Sequence, residues 1–111
     1  MPHNASPIHV AKAELFRTLG HPARVRILEL LRDGEQSVGA LQAELALDSG
    51  GTSQHLAALR RVGAVVGRRD GTSVLYRVAD QEVFALLAAG RQIVASAVER
   101  QRSALASGDR A

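Results

Sequence analysis

The sequence predicts a mainly α fold with one small β-hairpin, and three observations carry that prediction. Apolar residues recur at helical spacing from Ile8 to Leu59. From Ala64 the pattern changes to β-formers on either side of Asp70-Gly71. From Asp80 helical spacing returns. The length of 111 residues fits one compact domain. With 46% hydrophobic and 23% charged residues, the composition is that of a globular chain rather than a disordered one.

Ile8, Ala11, Leu15 and Leu19, with Phe16 beside them, predict a first helix over 8–19 that Gly20 closes. Pro22 suits the first position of a second helix, with His21 flanking it. Val25, Ile27, Leu28 and Leu31 form that helix's apolar stripe, and Asp33-Gly34 stops it. Val38, Leu41 and Leu45 mark a short third helix. Asp48-Ser49-Gly50-Gly51 reads as a turn with Asp48 or Ser49 as the helix N-cap. The fourth helix turns Thr52, Leu56 and Leu59 inward and ends near Gly63.

Val65 and Val66, then Val74, Leu75, Tyr76 and Val78, flank Asp70-Gly71, which predicts a hairpin with a two-residue Asp-Gly loop. Val83, Leu87, Gly90, Val94 and Ala97 or Val98 then lie along a fifth helix. The chain contains no internal repeat and no linker. The order is helix, helix, helix, helix, strand, strand, helix: a winged helix-turn-helix with the hairpin as its wing. The expected organisation is a flexible N-terminus over 1–7, the domain with its terminal dimerisation helices over 8–102, and a fraying polar tail over 103–111.

Composition excludes several function classes. There is no cysteine, which removes disulfides, thiolate metal sites and thiol chemistry. No apolar run is of membrane-spanning length, and MPHNASPIHV lacks the form of a secretory signal, so no membrane is expected and a cytoplasmic location is. Ser53, His55 and Asp70 include a nucleophile and a base by type. However, Ser53 and His55 are two apart on one helix and diverge, and no nucleophile turn or phosphate loop is present. The reading is therefore not an enzyme, and no cofactor is expected.

The excess charge has an address. Residues 52–77 hold Arg60, Arg61, Arg68, Arg69 and Arg77 against Asp70 alone, a sum of +4, while residues 1–51 sum to −1 and residues 78–111 to zero. Arginine has the planar fork that pairs with phosphate or a guanine edge. A major groove admits one α-helix, and the fourth helix turns short or amide side chains outward: Ser49, Gly50, Ser53, Gln54 and Ala57. Gln54 suits adenine and Ser53 several bases, while the helix N-terminus presents free N–H groups to phosphate. The wing sets Arg68 and Arg69 near the backbone or the adjacent minor groove. His55, at the edge of the buried face, is either a packed histidine or a phosphate contact.

The stretches LFRTLGHPARVRILELL (15–31), SVGALQAEL (37–45) and TSQHLAALRRVGAVVGRRDGTSVLYRV (52–78) resemble the ArsR/SmtB family of bacterial transcriptional repressors. The resemblance covers roughly residues 10–95 and rests on the His-Pro opening of the second helix, the Ser-x-His-Leu of the fourth and the Arg-Arg-Asp-Gly wing ending in Tyr-Arg. It implies a homodimer on a palindromic double-stranded DNA operator, released by a metal or another inducer. The DNA-facing positions it implies are Ser49, Thr52, Ser53, Gln54 and His55 on the helix and Arg68, Arg69 and Thr72 on the wing.

The departures from that family narrow the inducer. Where the family carries Glu-Leu-Cys-Val-Cys-Asp-Leu, this chain reads Glu35-Gln36-Ser37-Val38-Gly39-Ala40-Leu41. Of the family's zinc-type site on the last helix, Asp80 remains, with Glu82, Ile93 and Ser96 at the other places. The cysteine pair of sulfur-sensing members is also absent. No metal site is expected, although His3 or His9 with a partner-chain acid is a conceivable alternative. Gly50 and Gly51 cost about 1 kcal/mol each against alanine in a first helical turn, which suits a turn that orders on DNA.

The fifth helix is apolar nearly all round over Val83–Ala89, more than one chain of this size can cover. A two-fold interface built from the first and last helices follows, with Leu15, Val83, Leu87, Val94 and Val98 in it. An unknown small-molecule or protein effector at that interface would change the separation of the two recognition helices. The rival reading is a winged helix used only for protein contacts, which has no need of arginines at the wing tip.

Overall fold

The computed structural model describes residues 7–46 and 49–108. Residues 1–6 of the expected flexible segment over 1–7, His3 among them, and the end of the tail over 109–111 lie outside the described residues, as does Asp48. Five helices and a three-stranded antiparallel sheet follow one another: α1 (Ile8–Leu19), α2 (Pro22–Leu30), β1 (Gln36–Ser37), α3 (Val38–Leu45), α4 (Ser49–Arg61), β2 (Val65–Asp70), β3 (Ser73–Val78) and α5 (Glu82–Gly108). The fold is a mainly helical winged helix-turn-helix, as the periodicity predicts. The chain divides into one unit through Gln81 and a second formed by α5.

Helix boundaries follow local chemistry. His21 is the N-cap of α2, its Nδ1 accepting the Ala23 N–H at 3.1 Å, and Pro22 occupies the first turn, where its missing N–H is no loss. A 3-10 turn over Leu31–Asp33 ends at Gly34, whose φ of +135° suits glycine alone. Ser37 caps α3, its Oγ accepting the Ala40 N–H at 3.1 Å. Ala46 closes α3 in the left-handed region at φ +57°.

The core of the first unit is the expected set of stripes. Ile27 and Leu28 of α2, Leu41 of α3, Leu56 and Leu59 of α4 and Val65 of β2 are its largest fully buried apolar side chains. Each such burial contributes about 1.5–3 kcal/mol. Leu19, Tyr76 and Val78 add to the core from α1 and β3.

The wing departs from expectation in two ways. The sheet has a third strand, β1, in the order β1-β3-β2, with Gln36 opposite Tyr76 and Ser37 opposite Leu75. The hairpin register pairs Asp70 with Ser73, so the loop is Gly71-Thr72 rather than Asp70-Gly71. Gly71 takes φ +65° and is the only loop residue with positive φ, the requirement of a turn with glycine at its first central position. Helix α5 runs through Ser103 to Gly108.

Gly67 is a packing requirement that periodicity does not reveal. It lies opposite Tyr76, and a Cβ there would stand 3.0 Å from Tyr76 Cε1 and 3.2 Å from Val74 Cγ1. The Tyr76 ring is buried and has nowhere cheap to go. Gly67→Ala is expected to lower stability by about 1–3 kcal/mol, measured by chemical unfolding with an unchanged denaturant slope.

Candidate nucleic-acid interface

Helix α4 and the wing belong to the same unit, and α4 ends directly into β2. Gly63, at φ +80°, makes the corner, donating its N–H to the Arg60 carbonyl at 3.0 Å, and Ala64 N–H binds the Leu59 carbonyl at 2.9 Å. These bonds satisfy carbonyls of the last helical turn. They also fix where the strand leaves the helix.

Along α4 the residues sort by face. Leu56 and Leu59 are fully buried, while Ser53 and Gln54 are exposed. Thr52 is fully buried, as its spacing has it, and so does not stand on the exposed face to which the family resemblance assigns it. Thr52 lies four residues before Leu56 and seven before Leu59, on the same buried stripe. Ser49 is the first residue of α4, and Gly50 and Gly51 lie in its first turn; the side chain of Ser49 lies outside the described residues.

His55 is half-buried at the edge between these faces. Its Nδ1 accepts a hydrogen bond from Arg24 Nε at 3.1 Å, and its ring lies 4.4 Å from that of His21. Partial burial, with the His21 and Arg24 charges beside it, holds its pKa below the usual histidine value and favours the neutral ring.

On the wing, consecutive residues face opposite ways. Val65, Gly67 and Arg69 share one face with Val74, Tyr76 and Val78, the face that buries Val65, Tyr76 and Val78 against the helices. Val66, Arg68 and Asp70 share the other with Ser73, Leu75 and Arg77. Arg68 and Arg69, adjacent in sequence, therefore diverge. Arg69 is exposed on the helix-bearing side, near the Gly71-Thr72 tip, where Thr72 is exposed too. Among the described residues nothing pairs with it.

Arg68 lies on the outer face in a two-pronged ion pair with Glu35: Nε to Oε2 and Nη2 to Oε1, both at 2.8 Å. The Arg68 bond, aided by the Arg68 and Arg77 charges, holds the Glu35 carboxyl below the usual carboxylate range. The same bond raises the Arg68 pKa. Of the two wing arginines, Arg68 is thus held in an ion pair on the outer face of the sheet. Glu35, whose acidity was read only against a metal motif, braces the wing to the segment before β1.

The described residues contain no group of three or more His, Asp or Glu that could hold a metal ion. The positions at which the resembling family holds metals do not fit one. Ser37 has its oxygen engaged as the α3 cap, Gly39 has no side-chain donor, and Ile93 offers only carbon. No helix among the described residues is long and apolar enough to cross a membrane.

The expected pairing residues divide. Leu15 of α1 and Val83 and Leu87 of α5 are half-buried, whereas Val94 and Val98 are 64% and 48% exposed. Leu105, three turns beyond Val94 on the same helix face, is 71% exposed, and α5 buries no residue at all. Phe16 on α1 is 52% exposed.

Known proteins share this arrangement. Residues 19–68 match the helix-turn-helix domain family. The uncharacterised HTH-type transcriptional regulator Rv0081 of Mycobacterium tuberculosis is 46% identical over 92 residues, 82% of this chain and 81% of that protein. Its crystal structure matches with a TM-score of 0.79 at 43% identity, over 87% of this chain and 98% of that one. The biofilm growth-associated repressor of Agrobacterium fabrum is 40% identical over 77 residues, 69% of this chain and 66% of that protein. The solution structure of Mb0332 from Mycobacterium bovis, described as a homodimeric winged helix-turn-helix DNA-binding domain and a possible ArsR-family transcriptional regulator, matches with a TM-score of 0.76. It is 30% identical and covers 84% of this chain and 86% of that one.

Proposed function

The chain belongs to the ArsR/SmtB family of helix-turn-helix transcriptional regulators, which are not enzymes, and we propose that it is a homodimeric repressor that reads a two-fold symmetric operator in the cytoplasm. One observation carries the reading. The exposed Ser53 and Gln54 of α4 and the exposed Arg69 of the wing, which has no partner among the described residues, belong to one unit, on the side of the sheet that bears the helices.

In this reading α4 enters the major groove, with Ser53 and Gln54 at base edges, Ser49 at the phosphate-facing helix start and His55 at its rim. Arg69 and Thr72 meet the backbone or the adjacent minor groove. Arg68 acts through Glu35, setting the wing. An arginine at an exposed tip, with no partner among the described residues, also argues against a wing built only for protein contacts. The homodimeric Mb0332 supports pairing here, and so does the uncovered apolar stripe of α5. Gly39 and Ile93 offer no donor at the metal positions of the family and the Ser37 oxygen is engaged as a helix cap, so the effector we propose is a small molecule or a protein. It acts by changing the distance between the two α4 helices.

Selection of bound fragments from random duplex DNA tests the reading. Inverted repeats with half-sites about 10–10.5 bp apart, or a multiple of that, are expected. Gln54→Ala is expected to lose preference at one base position per half-site, by about 1–3 kcal/mol, while retaining affinity for unselected DNA. Enrichment of no sequence by the parent protein contradicts the reading. A promoter switched on rather than off when the chain binds replaces the repressor role with an activator role.

A further inference from the structure

Two stretches that stand out in the sequence meet in the folded chain. The His-Pro opening of α2 and the Ser-x-His-Leu of α4 come together with the His21 and His55 rings 4.4 Å apart and tilted by 52°. Arg24, in the first turn of α2, joins them. Its Nε donates to His55 Nδ1 at 3.1 Å, and its Nη1 donates to the Thr18 carbonyl at 3.1 Å. One guanidinium thereby ties the last turn of α1 and the start of α2 to the middle of the recognition helix.

A hydrogen bond accepted at Nδ1 decides the tautomer: a neutral imidazole keeps its proton on Nε2. The His21 Nδ1 accepts the Ala23 N–H. His55 adjoins the exposed Gln54 on the half-exposed edge of α4, so its Nε2–H is a neutral donor beside the residues that would read bases. The groups that face His55 from the start of α2 are His21 and Arg24, with the Thr18 carbonyl of α1 behind Arg24. That burial and these charges hold the ring neutral agrees with its lowered pKa.

We propose that Arg24 is a positioning residue for DNA recognition, holding the His55 imidazole in one orientation with its proton on Nε2 at the reading edge of α4. The proposal rests on the DNA-binding reading above. A guanidinium is needed because its rigid fork serves two acceptors on different helices at once, which an ammonium on a flexible stem cannot hold in fixed geometry.

The test pairs nitrogen NMR of the imidazoles with binding to the duplex that the parent selects. Parent His55 is expected to show a proton on Nε2 and an unprotonated Nδ1. In Arg24→Ala and Arg24→Lys the two tautomers are expected to mix and the His55 titration to move up in pH. Affinity for the selected duplex is expected to fall about tenfold, since an oriented hydrogen bond in each half-site is lost. In a His55→Gln background, Arg24→Lys is expected to add less than a twofold loss, because its effect runs through the missing ring.

Three results overturn the proposal: His55 unchanged in both Arg24 variants, mixed tautomers with undiminished affinity, or an Arg24→Lys loss as large without His55 as with it. A parent that binds no duplex overturns the DNA-binding reading itself, and the imidazole spectra still tell that failure from failure of the Arg24 contact.

Discussion

Changing Val94 and Val98 together to aspartate is expected to leave the protein monomeric and to weaken binding to the selected duplex about a hundredfold or more. Both side chains are largely exposed in a single copy, on the same face as Leu105, and α5 buries nothing by itself. Such a stripe has no stabilising partner within the described chain. A two-fold interface uses the same patch of both subunits, so two substitutions set four carboxylates into one apolar seam. Binding through two linked half-sites exceeds binding through one by about 10²–10⁴, which is the origin of the expected loss. Sedimentation at micromolar concentration reads the assembly and fluorescence anisotropy reads the affinity. A variant that stays dimeric places the subunit contact elsewhere.

The second large effect separates two neighbours. Arg69→Ala is expected to weaken binding to every duplex by about tenfold or more, and to reduce the slope of log affinity against log salt by about 2 for a dimer losing one phosphate contact per wing. Arg68→Ala is expected to leave that slope unchanged, because its guanidinium is bound by Glu35 on the opposite face of the sheet. Its loss is expected to appear instead as a wing less firmly held, and Glu35→Gln is expected to give the same phenotype. Equal slopes for the two arginine variants would show that the sheet face does not decide which one meets the backbone.

Much of this was legible in the sequence, because helices packed on one core leave a period in their apolar residues. The stripes through Leu19, Leu28, Leu41 and Leu56 placed four helices and the buried face of each. The His21-Pro22 pair marked a helix start. What stayed hidden depends on partners distant in sequence. Two residues of β1 are too few to show alternation, and only pairing with β3 makes them a strand.

The one-residue difference in the hairpin loop reflects two turn types that both accept a glycine near Asp70, between which the strand register chooses. Arg68 and Arg69 read as one basic tip because a sequence pattern shows charge but not the pleat. The burial of Thr52 follows from its helical spacing with Leu56 and Leu59. Nothing in the order of residues joined Arg24 to His55, thirty-one positions away.

The most direct test of the central claim is an NMR titration of the isotope-labelled chain with the selected duplex. The backbone amides of Ser53, Gln54 and His55 on α4 and of Arg69, Gly71 and Thr72 on the wing are expected to shift in proportion to duplex added, while those of Leu75 and Arg77 on the outer face of the sheet stay in place. Shifts confined to the outer face, or a spectrum indifferent to the duplex at low salt, would contradict the assignment of α4 and the wing tip as the surface that meets DNA.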